Sequence, residues 1–242
     1  MKIELSVIAP CLNEAGNITP LVERINKALN KAKITGEIIL INDGSSDDTL
    51  KVMKKVGAKF NFKYRNVIII DHKINKGIVE SWKSGLNKAR GKYVVTIDSD
   101  LQYLPEDIPK LYKEIKDSEF DLVQGYRTKD EERNFIRDFL SISLSFILNK
   151  IFSMNLRDIK SGFIIYKRGI FEDILNYKKN YSLFQHFITV AAHWKGYKIK
   201  QIPVIFAKRT YGKSFIKAVP VSFIIKLLRD IPKAVFEYRL KR

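Results

Sequence analysis

The segment Tyr93-Val94-Val95-Thr96-Ile97-Asp98-Ser99-Asp100-Leu101-Gln102 runs from an apolar strand straight into two carboxylates and a carboxamide. If the strand continues through them, Asp98, Asp100 and Gln102 alternate and leave from one face. Oxygen-bearing side chains gathered in this way suit a hard divalent cation such as Mg²⁺ or Mn²⁺, which keeps coordination positions for phosphate. A bare Asp-x-Asp suits an Asx-rich turn at a strand end better. Its neighbours favour the first reading. One strand-like run ends in Ala9-Pro10-Cys11-Leu12-Asn13-Glu14 and another in Ile41-Asn42-Asp43-Gly44-Ser45-Ser46-Asp47. Ligands of open α/β sheets bind beyond such carboxyl ends. Taken singly, each loop is also explained by turn and cap chemistry. Lys76, in Asn75-Lys76-Gly77, stands at the start of a helical pattern, where free backbone N–H groups favour a phosphate.

These groups need a sheet to carry them, and the periodicity supplies one. Strand-like runs at 4–9, 37–42, 66–71 and 92–98 alternate with helical patterns at 16–33, 47–58 and 77–90. A further helix runs from Pro105 through Ile115, and short strands are expected at 121–125 and 162–167. The pattern predicts an α/β fold: a single, mainly parallel sheet, Rossmann-like, with helices on both faces. The second half is more apolar, with a helix expected over 135–153. Over 221–237, Lys226, Arg229, Asp230, Lys233 and Glu237 recur every three or four residues as one narrow polar stripe. Such a helix suits a membrane interface, and burial in a core or a dimer contact fits it equally. The expected organisation is a catalytic domain over 1–216 and a basic amphipathic helix over 217–242.

The net charge of +18 is unevenly spread, with ten Lys and Arg against two Asp and Glu in residues 207–242. That end expects an anionic partner, phosphate or membrane. A nucleic-acid-binding module would show basic residues interleaved with aromatics or a known binding motif, and neither is present. Cys11 is the only cysteine, which rules out an intrachain disulfide and fits a reducing compartment. No secretory leader is expected at the N-terminus, and no run reaches the roughly 18–20 apolar residues of a spanning helix. His72 is expected to be exposed, and His186 and His193 to be core or rim residues; none is expected to act as a base.

Together the motifs resemble the inverting family-two glycosyltransferases of the GT-A fold, and most closely the polyprenyl-phosphate type exemplified by dolichyl-phosphate mannose synthase. The resemblance extends from Val7 to about Ser214. Ile8-Ala9-Pro10-x-x-Asn13-Glu14 and Asn42-Asp43-Gly44-Ser45-Ser46-Asp47 are similar to the two nucleotide loops, implying that Pro10, Asn13, Glu14, Asn42 and Asp43 hold the nucleoside. Asp98-x-Asp100-x-Gln102 resembles the metal triplet, implying Mg²⁺ or Mn²⁺ on the donor diphosphate. Gly125-Tyr126-Arg127 and Arg137-x-x-x-Ser141 are similar to segments that grip the donor and acceptor phosphates. Asp158-Ile159-Lys160-Ser161-Gly162-Phe163 and Arg209-x-x-Gly212-Lys213-Ser214 resemble a further conserved segment and the acceptor loop. Asn42 replaces the usual Asp, Leu12 a frequent aromatic and Gln201 a frequent Glu, which opens the choice between GDP- and UDP-sugars.

The resemblance implies transfer of mannose or glucose from a nucleotide diphosphate sugar, GDP-mannose or UDP-glucose, to a polyprenyl or dolichyl phosphate, as in protein glycosylation. The implied location is peripheral, at the cytoplasmic face of a membrane. In place of the family's acidic residue, this chain has Phe184-Gln185-His186-Phe187. A sugar hydroxyl acceptor needs a general base. A phosphate monoester, with a second pKa of about 6, is already mostly ionised at pH 7 and needs cations to place it. Arg127, Arg137, Arg209 and Lys213 supply that charge. A saccharide acceptor in cell-envelope polysaccharide synthesis is the alternative.

Overall fold

A computed structural model describes residues 2–63, 66–130, 135–209, 211 and 221–240, with side chains excepted at 61–63, 129–130, 135–142 and 221. The first half alternates as the periodicity predicts. It comprises β1 (Leu5–Cys11), α1 (Ala15–Lys31), β2 (Gly36–Asp43), α2 (Thr49–Lys63), β3 (Val67–His72), α3 (Ile78–Lys88) and β4 (Tyr93–Thr96). A 3₁₀ turn at Pro105–Asp107 leads into α4 (Ile108–Lys116). Then follow β5 (Leu122–Asp130), α5 (Phe135–Phe152), β6 (Ile164–Lys167), α6 (Arg168–Leu175), α7 (Ile188–Trp194), β7 (Ile199–Phe206) and α8 (Val221–Ala234).

The described strands form one mixed sheet in the order β3-β2-β1-β4-β6-β5-β7. β1 pairs in parallel with both β2 and β4, while β6 runs antiparallel to β4 and β5. Strands buried on both faces need apolar residues at successive positions, and β1 has them. Leu5, Val7, Ala9 and Cys11 pack on one side with Ile18, Leu21, Val22 and Ile25 of α1. Ile8 faces the other side with Trp82 and Leu86 of α3. The two cores fix the sheet between helical layers, so its carboxyl edge is a rigid rim.

Two elements differ from the sequence pattern. β4 ends at Thr96 and not at Asp98, because its antiparallel partner runs out. Thr96 is opposite Ile164, and its hydroxyl donates to the Gly162 carbonyl at 2.6 Å. β7 gives no strand signal, since Pro203 interrupts it. It lies at the edge of the sheet, with β5 as its one neighbouring strand among the described residues, where a missing N–H costs little.

α8 and the π-helical turn Val235–Arg239 pack against the second core through Ala234 and Tyr238. The single polar stripe expected there is split. Asp230 is wholly buried and accepts the N–H groups of Ser182 and Leu183, each at 2.8 Å. Glu237 accepts those of Lys178 and Lys179 at 2.8 and 3.1 Å. The acids therefore face the protein, where loop N–H groups lacked partners. Lys226 and Arg229 remain outside, among exposed Ile224, Ile225 and Leu228.

Candidate active site

A crevice of about 250 Å³ opens at the carboxyl ends of β1, β2 and β4. Pro10, Glu14, Asp43, Asp98 and Asp100 line it, as do Asn75, Gly77 and Ile78 at the start of α3. Five residues singled out from the sequence thus meet in one place. Cys11 also lines it, but burial pushes its thiol up to about 12, so it is no nucleophile.

The loops after β1 and β2 are bound to one another. Asn13, at φ 55°, accepts the Ser46 N–H at 2.8 Å on its side-chain oxygen, while its own N–H donates to Ser45 Oγ at 3.0 Å. Asn42 accepts the Ser45 N–H at 3.2 Å and donates to Asp71 at 2.8 Å. Asp43 accepts the N–H groups of Lys76 and Gly77, each at 2.9 Å, and its Oδ1 lies 2.9 Å from His72 Nδ1. Asp43 therefore shapes the loop that starts α3, and the Lys76 side chain projects into solvent. Gly44 permits this closeness. At φ 72° it is left-handed, and a Cβ there would stand 2.4 Å from the Asn75 nitrogen.

His72 is buried, with 5% exposure, which corrects the expectation of an exposed side chain. Its other ring nitrogen lies 2.9 Å from Ser84 Oγ on α3. His72 and Asp71 are the functional neighbours that sequence reasoning missed. The only available signal was their place at the carboxyl end of a strand beside β2.

The Asp98-x-Asp100-x-Gln102 segment is held by a turn and not by strand alternation. Residues 98–102 lie beyond β4, and Leu101 takes a left-handed φ of 63°. The turn brings Asp98 and Asp100 to the crevice. Gln102 is tied to both sides of the turn: its amide donates to the Ala207 carbonyl at 3.5 Å, and its backbone N–H to Asp100 Oδ1 at 3.1 Å. Among the described residues there is no ready-made cluster of three or more His, Cys, Asp or Glu around one point. The electrostatics nonetheless fit a cation. Burial and then the adjacent Asp100 carboxylate push the Asp98 carboxyl up to about 7, and Arg209 and Arg127 oppose that rise. Burial also raises Glu14. Asp98 and Asp100 would hold a divalent ion, whose chemistry would be to stabilise negative charge on a leaving diphosphate.

Two arginines named from the sequence form ion pairs here, and Arg209 is the one paired with the crevice carboxylates. Arg209 donates from Nη2 to Asp100 at 2.6 Å and from Nη1 to Glu14 at 3.1 Å. Glu14 thus carries an ion pair within the crevice. Arg127 makes a two-pronged pair with Asp158, at 2.7 and 3.2 Å, and its guanidinium stands 5.2 Å from the centre of the Phe206 ring. The Asp158 segment is drawn in by Ser161, whose carbonyl takes the Gln124 amide at 2.9 Å. Arg137 and Ser141 fall on α5, but their side chains lie outside the described set, and Lys213 and Ser214 lie outside the described residues.

The model of the family described as "Glycosyl transferase family 2" matches residues 6–175. The chain is 28% identical over 242 residues to the dodecaprenyl-phosphate galacturonate synthase of Rhizobium johnstonii, covering 99% of this chain and 69% of that one. It is 28% identical to the undecaprenyl-phosphate 4-deoxy-4-formamido-L-arabinose transferase of Proteus mirabilis, covering 91% of this chain and 66% of the relative. Among solved structures, the mannosyltransferase PcManGT of Pyrobaculum calidifontis, in complex with GDP-Man and Mn²⁺, superposes with a TM-score of 0.69. It shares 16% identity and covers 98% of this chain and 65% of its own. The chain therefore spans about two thirds of the length of these proteins, and its fold is GT-A.

Proposed function

The chain belongs to glycosyl transferase family 2, and from that premise we propose that it transfers a hexose, mannose or glucose, from a nucleotide diphosphate sugar to a polyprenyl phosphate. The observation that carries this reading is the Arg209 guanidinium paired with Asp100 and Glu14 in the crevice that Asp98 also lines. Permanently charged guanidinium groups beside a carboxylate pair suit a site where phosphates and a divalent ion meet. Asp43 and the N–H-rich loop before α3 shape the nucleoside pocket, while Asp98 and Asp100 would hold Mg²⁺ or Mn²⁺.

The acceptor assignment follows from proton chemistry. The segment 184–194 contains no Asp or Glu. Of its two imidazoles, His186 is lowered by burial to about 4, which leaves it a weak base. An ionised phosphate attacks the anomeric carbon without surrendering a proton, and in-line displacement inverts that centre. The relatives named for polyprenyl-phosphate substrates support this choice. A lipid acceptor also suits the apolar and basic face of α8, and a peripheral site on the cytoplasmic membrane face. Among the described residues no helix is long and apolar enough to cross a membrane.

The test is a matrix of donors and acceptors. GDP-mannose, UDP-glucose and related donors are each offered with Mn²⁺ or Mg²⁺ to a short polyprenyl phosphate and to an oligosaccharide. Product on the phosphate alone is expected. Product on the oligosaccharide alone would move the acceptor to the saccharide class.

A further inference from the structure

In this structure the carboxylates of the crevice already have a cation, and it belongs to the chain. Arg209 spreads its fork over two residues, with Nη2 on Asp100 at 2.6 Å and Nη1 on Glu14 at 3.1 Å. Its side chain is 13% exposed, and its Nε has no hydrogen-bond partner among the described residues. The chain leading to it is tied to the same turn. The Ala207 N–H donates to the Gln102 carbonyl at 2.8 Å, and the Gln102 amide returns to the Ala207 carbonyl at 3.5 Å. Two residues on, the Tyr211 carbonyl accepts from the Asn17 amide at 3.4 Å, against the first turn of α1. Ala207 and Arg209 are thus laid across the turn that carries Asp100, and Tyr211 lies against the start of α1.

We propose that Arg209 is an internal counter-cation which a divalent ion must displace, so that loading the donor site releases this guanidinium for the acceptor phosphate. The inference rests on the donor-and-metal reading above. Its physical basis is competition for one carboxylate. Asp100 cannot give the same oxygen both to the Arg209 fork and to an ion at full strength. Removing either cation alone would leave buried negative charge uncompensated, so exchange of one for the other is the low-cost path. A fork divided between two residues gives up the geometric advantage of a bidentate pair, which makes it displaceable. Glu14 then serves to hold Arg209 and not the nucleoside. By linkage, ion and nucleotide strengthen acceptor-phosphate binding by the same factor with which acceptor strengthens theirs.

The experiment uses the full chain and measures binding without turnover. Mn²⁺ is titrated in the presence of GDP or UDP, with free Mn²⁺ followed by electron paramagnetic resonance, for wild type, Arg209→Gln, Arg209→Lys and Asp100→Asn. Arg209→Gln is expected to bind Mn²⁺ at least fivefold more tightly than wild type. Arg209→Lys, which cannot span both carboxylates, should tighten it about twofold. In wild type, farnesyl phosphate should bind at least fivefold more tightly once Mn²⁺ and nucleotide are present, and Arg209→Gln should abolish that gain. Circular-dichroism melts confirm folding; if Arg209→Gln does not fold, an unchanged affinity in Arg209→Lys overturns the proposal. Unchanged or weaker Mn²⁺ binding in Arg209→Gln, with binding lost in Asp100→Asn, overturns the displacement and leaves the metal site standing. Should Asp100→Asn bind as wild type does, or no form bind Mn²⁺, the metal reading falls and this inference with it.

Discussion

Asp43 spends its hydrogen-bonding capacity on the protein, and that decides how His72 acts. With Lys76 and Gly77 N–H groups on its two oxygens, the remaining partner of Asp43 is the His72 ring, which is fixed in turn by Ser84. Replacing His72 by Leu leaves Asp43 without that contact and Ser84 Oγ without its partner. The loss of one buried hydrogen bond costs about 1–3 kcal/mol. Since the damage falls on the nucleotide loop, donor KM should rise roughly fivefold or more while kcat changes little, and steady-state kinetics over a donor series would check it. A fall in kcat alone would contradict a positioning role. His186 provides a second prediction, on pH. Burial, and after it the Lys160 charge, depress its pKa to about 4 from the ordinary 6.5, with Asp230 working against both. The fold prefers the neutral ring, so its contribution is present above about pH 6.5 and is lost as pH falls towards 4. The contribution is at most about 3 kcal/mol, less whatever partial exposure screens. Thermal melts from pH 7 to 4 should show a shallower loss in His186→Leu than in wild type.

Most elements around the site were legible because their signals are local. The α1, α2 and α3 patterns and the polar ends of β1 and β2 follow from periodicity and turn chemistry. Three features were not local. The length of β4 depends on where β6 begins to pair, some seventy positions later in the chain. The edge position that lets β7 carry Pro203 is a property of sheet order. The inward turn of Asp230 and Glu237 depends on which side of α8 meets the 178–183 loop, and a helical wheel alone places every charge in water. The same limit explains His72, whose burial is set by its strand's neighbours. The α8 arrangement is directly testable. Asp230→Leu leaves the Ser182 and Leu183 N–H groups without this acceptor and removes the ion pair with Lys233, which donates to Asp230 at 2.9 Å and keeps its bond to the Asn180 carbonyl. The cost should be about 2–4 kcal/mol, from two backbone donors, one of them buried, and an ion pair. At about 2–4 °C per kcal/mol for a chain of this size, the melting temperature should drop by roughly 4–16 °C. A drop of less than 2 °C would mean that the helix is not pinned through this carboxylate.

For the molecule as a whole, the open question is what the outer surface of α8 meets. One side of the helix is spent on the core, through Ala234 and on into Tyr238 of the following turn. The other leaves Ile224, Ile225 and Leu228 exposed, interleaved with Lys226 and Arg229, and Phe146 and Ile147 of α5 add further exposed apolar surface. Apolar side chains set among basic ones suit the boundary of an anionic bilayer, where each Lys or Arg near the surface contributes about 1 kcal/mol. Because the helix is also a structural element, deleting residues 217–242 would disturb the core and confuse loss of docking with loss of fold. Surface substitutions separate the two. Lys226→Glu with Arg229→Glu should weaken binding to phosphatidylserine-containing vesicles at least tenfold at low salt. The effect should shrink at high salt, since the Debye length falls to about 3 Å at 1 M. Ile224→Ser with Leu228→Ser should weaken binding by a factor nearly independent of salt, because burial of apolar area carries no charge. Both pairs lie on the exposed side, so melting temperatures should stay within about 2 °C of wild type. Vesicle flotation across a salt series reads all of this at once. If wild type remains in solution at low salt, or if both double variants float as it does, the face is not a bilayer contact, and delivery of a lipid acceptor must occur elsewhere on the molecule.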